Sequence, residues 1–230
     1  MCDQTVWLEQ ITALSNLADP IVVAEYGMLN SLPAMASHVL KSAPQKFAVA
    51  GHSMGGRVAM EVFRQAPDSV THICLMDTRH HPLPPGEAGK KERAGRMHLL
   101  DIARKHGTRV MGEEWIKGMI HPYRLANDPV LVNTILDMFA RKSADVFEAQ
   151  QTALLNRLDA APVMGQIRCP ALILCGREDG WSSPPWHEAM AREIGSNAAL
   201  RIVENSGHMS TMEQPSDVSA AMREWIGRQS

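Results

Sequence analysis

Five short apolar runs recur along the chain, Ile21 to Ala24, Phe47 to Ala50, Ile73 to Met76, Ala171 to Cys175 and Ala199 to Val203, and helical periodicity fills most of what lies between. Runs this short and this continuously apolar are the pattern of strands buried on both faces of a parallel sheet. After an initial turn, Trp7, Ile11, Leu14 and Leu17 are spaced for one buried helical face. Ser31 is placed to cap a helix from Leu32 to Leu40, with Pro33 in its first turn. Val58, Val62, Phe63 and Ala66 share a face of the next helix, which Pro67 stops. Two further helices are expected, at about Pro185 to Ile194 and Ser216 to Ile226.

The alternation breaks once. From Arg79 a Pro-rich hinge, His80 to Pro85, leads into a charged loop and then helical periodicity from about Glu92 to Leu158, with no strand pattern. The expectation is therefore an α/β fold, a doubly wound and mostly parallel sheet, with residues 1–78 and 166–230 as its core and residues 79–165 as a helical cap insertion. Met97, Trp115, Met119, Ile120, Met138 and Phe147 make the insertion rich in methionine and aromatic side chains, which suits an adaptable apolar surface. Placed between two strands, it is expected to act as a lid, with Trp115, Met119 and Ile120 as substrate-binding residues lying nearer the site than the charged Lys90 to Arg93 segment.

A chain of 230 residues suffices for one core with such an insertion. A net charge of -2 and a pI of about 6.5 give no reason to expect nucleic acid or an anionic membrane as a partner, so a small-molecule substrate is expected. Nothing in the pattern sets an oligomeric state. Cys2, Cys74, Cys169 and Cys175 lack zinc-ligand or redox spacing. The last three lie in apolar runs and read as buried free thiols, which suits a cytoplasmic protein.

Phe47 to Ala50 turns through Gly51-His52-Ser53-Met54-Gly55-Gly56 into a helix, a G-x-S-x-G motif in a strand-turn-helix setting. A serine on so sharp a turn takes strained backbone angles, and glycines two residues to either side allow backbone to pass without a Cβ clash. A serine hydroxyl is a weak nucleophile until a base takes its proton, and the base needs a carboxylate to fix its tautomer. Of the ten histidines, His208 stands on a loop just after a late strand beside Gly207, and it is the expected base. His52 should point away from Ser53 on a tight turn. Asp179 follows a strand end and gives the order Ser53, Asp179, His208 that accompanies a nucleophile elbow. Asp77 is the rival acid, with a loop-capping role the preferred reading.

These motifs resemble the α/β-hydrolase superfamily, in particular its bacterial esterase-like members with a GHSMGG elbow and a helical cap. The resemblance implies a Ser53-His208-Asp179 triad, an oxyanion donor in the Met54 amide, and no cofactor. It implies a serine hydrolase of a small carboxylic ester or related acyl substrate. A carbon-carbon bond hydrolase and a weakly active or non-catalytic ligand-binding protein on the same fold are the alternatives. In the resembling family the elbow strand is the fifth of eight, whereas here one apolar run precedes it. The expectation is thus an N-terminally truncated fold lacking three strands and the loop that gives the first oxyanion amide. Ile21 to Ala24 would then pair with Phe47 to Ala50, or the gap would be filled by water or another chain, and loss of one of two oxyanion donors would cost about 100- to 1,000-fold in turnover.

Overall fold

The computed structural model describes residues 1–228. Four strands, β1 (Phe47–His52), β2 (Val70–Met76), β3 (Ala171–Gly176) and β4 (Ala198–Val203), form one sheet in the order β1-β2-β3-β4, every pair parallel. The helices are α1 (Leu8–Leu14), α2 (Leu32–Ser42), α3 (Met54–Gln65), α4 (Gly86–His106), α5 (Thr108–Trp115), α6 (Pro122–Asn127), α7 (Pro129–Ala140), α8 (Ala144–Leu155), α9 (Ala161–Met164), α10 (Pro184–Ile194), α11 (Ser210–Glu213) and α12 (Pro215–Ile226). Helices α4 to α9 all lie between β2 and β3, with no strand among them.

Strand periodicity divides the core. Ile73 and Leu75 of β2 join Val58, Val62 and Phe63 of α3 and Met190 of α10 on one face. Cys74 and Met76, the alternate residues, face Val218, Met222 and Trp225 of α12 and Leu14 of α1 on the other. Apolar burial on both faces explains why the strands read as continuous runs rather than alternating ones. A third cluster joins the helices between β2 and β3 through the fully buried Met111, Ile135, Met138, Phe139 and Phe147. Each such aromatic or aliphatic side chain contributes about 1.5–3 kcal/mol by leaving water. Ser31 accepts from the Ala34 amide, Asp128 from Leu131 and Ser143 from Val146, so three of these helices start on a side-chain cap. No helix among the described residues is long and apolar enough to cross a membrane.

Ile21 to Ala24 does not form the expected strand. Ile21 is 63% exposed, and strand β1, the partner expected for the run, pairs with β2 on one side while its other edge borders a cavity of about 1440 Å³. Ile21 to Ala24 line that same cavity instead of bonding to β1. An apolar tetrapeptide without a ladder partner gains no backbone hydrogen bonds, so it runs on as irregular chain. Helix α1 is also shorter than its pattern suggests, and Leu17 lies beyond it, 46% exposed.

Candidate active site

Ser53 sits between β1 and α3 with φ 56 and ψ -117, a conformation costly for a residue with a Cβ. The surroundings over-determine it. The Ser53 amide donates to the Met76 carbonyl at 2.8 Å, and the Thr78 hydroxyl donates to the Ser53 carbonyl at 2.8 Å. A Cβ on Gly51 would lie 2.2 Å from the Gly55 carbonyl oxygen, so that glycine is required by the turn. Gly55 itself has open space around its Cβ position, contrary to the symmetric role expected of the two glycines, because the close approach is made by its backbone. Met54 opens α3, where the first amides have no intrahelical acceptor.

The structure brings Ser53, His208 and Asp179 into one line of hydrogen bonds. His208 Nε2 lies 2.8 Å from Ser53 Oγ, and His208 Nδ1 lies 2.8 Å from Asp179 Oδ2. With Nδ1 protonated toward the carboxylate, Nε2 is left to accept from the serine hydroxyl. Asp179 Oδ1 accepts from the amides of Trp181 and Ser182 at 2.8 and 2.9 Å. Burial works against its charge, but the adjoining His208 ring and these amides outweigh it and hold the carboxyl well below the usual carboxylate range.

Asp77 is engaged elsewhere. Its Oδ1 accepts from the Gly176 amide at 3.0 Å, and its Oδ2 accepts from the Ser210 hydroxyl and lies 3.3 Å from His52 Nε2. His52 reaches away from Ser53, and its Nε2 donates to the His208 carbonyl at 2.7 Å. Burial disfavours the imidazolium here, yet the bonds to Asp77 and Cys2 push its pKa up to about 10. Asp77 thus ties the end of β2 to the loops carrying Asp179 and His208 by backbone and side-chain bonds.

The cavity beside β1 is the one onto which Ser53 and His208 open, and Trp115 and Met119 also line it. Ile120 does not. It is 3% exposed and packed within the helical cluster, and the carbonyl of its neighbour Met119 accepts from the His208 amide at 2.6 Å. Lys91 and Glu92 of the charged segment border the same cavity as Trp115 and Met119.

Two residues beyond the expected set hold the site together. Trp181 stacks over Trp115 with ring centroids 5.6 Å apart and lies 4.8 Å from the His208 ring. Glu213, fully buried, accepts from the amides of Gly207 and Met209 at 3.0 and 3.1 Å and from His121 at 2.8 Å, which pins the His208 loop to the helical segment. Trp181 could have been found by its place two residues after Asp179, whereas an isolated glutamate in a short helix carries no comparable signal.

The sequence profile of the Alpha/beta hydrolase family matches residues 12–221. The chain is 26% identical over 185 residues to a Haemophilus influenzae protein named "Putative esterase/lipase", covering 80% of this chain and 61% of that protein. It is 26% identical over 195 residues to the (E)-2-((N-methylformamido)methylene)succinate hydrolase of Acinetobacter baylyi, covering 82% of this chain and 67% of that one. A thermophilic esterase from Thermogutta terrifontis, solved with malate bound, superposes with a TM-score of 0.82 at 26% identity, covering 98% of this chain and 85% of the esterase. A profile match across nearly the whole chain, on a sheet and elbow of the matching kind, makes this protein a member of the alpha/beta hydrolase family.

Proposed function

We propose that this protein is a serine hydrolase of small carboxylic esters or related acyl compounds and that it works through an acyl-enzyme. The observation that carries the reading is the continuous hydrogen-bonded line from Ser53 Oγ through His208 to Asp179, with Ser53 and His208 on the wall of the cavity beside β1. Its relatives' names, an esterase/lipase and a hydrolase of a succinate derivative, support acyl chemistry.

In this reading His208 takes the Ser53 proton as Oγ attacks the acyl carbonyl, and the Asp179 carboxylate holds the ring and steadies the imidazolium. The Met54 amide donates to the developing oxyanion, favoured by the positive end of α3. His208 then passes its proton to the leaving alcohol, and a water activated by the same histidine releases the acid. The segment 79–165 serves as the cap, with Trp115 and Met119 shaping the acyl site. A fluorophosphonate probe tests the reading. Labelling of Ser53, blocked by prior incubation with a turned-over ester, is expected, while a folded protein whose Ser53 stays unlabelled would count against it.

A further inference from the structure

Four guanidinium groups gather at one side of the Ser53 cavity. Arg57, Arg79 and Arg96 line it, and Arg157 stands behind them. Arg57 Nη1 and Arg157 Nε donate to the same His81 carbonyl, at 3.0 and 3.2 Å. Arg157 grips Glu92 with both terminal nitrogens, at 2.7 and 2.8 Å, and Arg96 Nε donates to the same carboxylate at 3.0 Å. Glu92 is therefore shared by two arginines. Among the described residues, Arg57 and Arg79 have no carboxylate partner; the Arg79 guanidinium instead lies over the Trp186 ring, 5.6 Å from its centre. Of the other acids on the cavity wall, Asp77 is committed to His52, Asp3 to Arg141 and Glu114 to Lys117, while Asp19 makes no ion pair among the described residues and none with the four arginines.

Four positive charges against one carboxylate leave an excess of three in a partly enclosed space, where field lines concentrate. Burial, and then the positive fields of Arg157, Arg79 and Arg96, pull the Arg57 pKa well below its ordinary value. A cation crowded in this way, with donors left over, is a group whose energy falls when an anion arrives. Planar guanidinium forks match a carboxylate in shape as well as charge. Position also matters. Arg57 follows Ser53 by four residues, about one helical turn or roughly 6 Å along α3. The leaving group must face His208, which protonates it, and none of the four arginines bonds to His208. Arg57 lies on α3, the helix that begins right after Ser53, and a charge bound by Arg57 and Arg79 is accordingly assigned to the acyl part that stays on Ser53.

We propose that Arg57 and Arg79 form an anion subsite that takes a carboxylate on the acyl chain, making half-esters of short dicarboxylic acids the preferred substrate class. This deepens the serine hydrolase reading and rests on it for turnover, but its binding part can be tested alone.

The test compares p-nitrophenyl hydrogen succinate with p-nitrophenyl butyrate, which are of similar length and differ in charge. The kcat/KM ratio is expected to favour the half-ester by about 10- to 100-fold, the factor that one or two charge-assisted hydrogen bonds convert to. Arg57→Met should lower that ratio at least tenfold, and Arg79→Met is the second variant should the first not fold. Equal ratios in wild type and both variants would overturn the proposal. Should neither ester be turned over, calorimetry with the Ser53→Ala protein decides. Monomethyl succinate binding more tightly than methyl butyrate, and losing that advantage in Ser53→Ala/Arg57→Met, upholds the subsite while the nucleophile assignment fails. No advantage for the anion overturns the subsite.

Discussion

Replacing Ser53 by alanine is expected to reduce kcat on any ester the wild-type protein hydrolyses by about a million-fold, with KM little changed and the melting temperature held or raised. The magnitude follows from removing the only atom that forms the acyl bond, since in triad enzymes loss of the serine alone costs nearly as much as loss of all three members. The effect on stability follows from the backbone. Ser53 is held at φ 56 whichever small side chain it carries, and its Oγ makes a single bond, to His208. Side-by-side kinetics and thermal melts check both parts; a variant retaining more than a thousandth of the wild-type rate would move the nucleophile elsewhere.

Asp179→Asn is expected to cut kcat by about 10⁴-fold with the fold intact, because an amide in place of the carboxylate favours the wrong imidazole tautomer. The amides of Trp181 and Ser182 still find an acceptor in the asparagine oxygen, so the loop keeps its shape. The same substitution also changes the acid limb of stability. The folded-state pKa of Asp179 lies below its unfolded value, so its contribution is present above the ordinary carboxylate range and is lost as pH falls through the lowered pKa. Asp179→Asn should therefore lose less stability than wild type between pH 5 and 2, where pH-dependent melts read it, with limits of about those values. Asp77→Asn provides the contrast. It places an amide against the Gly176 N–H, Ser210 and His52 and should cost about 1–3 kcal/mol of stability, with a far smaller fall in kcat. A reversal of the two kinetic effects would exchange their roles.

What could be read from the sequence was what local physics determines. The Ser53 turn is written within about twenty residues, as an apolar strand, glycine-flanked serine and amphipathic helix, and it stands in the structure between β1 and α3. Asp179 and His208 were legible because parallel strands deliver their loops to one edge of the sheet, so chain order and strand ends suffice to name them. The apolar run Ile21 to Ala24 reads as a strand but forms none, because an apolar tetrapeptide signals a preference for burial and says nothing about which sheet edge is free to receive it. Ile120 and Met119 are adjacent and both apolar, and periodicity in a short helical turn does not decide which of them meets the cavity. The arginine cluster was invisible for another reason. Arg57, Arg79, Arg96 and Arg157 span about a hundred residues of sequence, and only the packing of α3, α4 and the segment after α8 brings Arg57, Arg96 and Arg157 onto the His81 carbonyl and Glu92, with Arg79 beside them over Trp186.

The central claim is that Ser53 carries the acyl group during turnover. Mixing the protein with p-nitrophenyl acetate, quenching in acid within milliseconds and measuring intact and peptide masses addresses it directly. The account predicts a transient protein species heavier by one acetyl group, located on the peptide containing Ser53 and absent from Ser53→Ala. Ester turnover without any such species, or with the acetyl group on another residue, would contradict it.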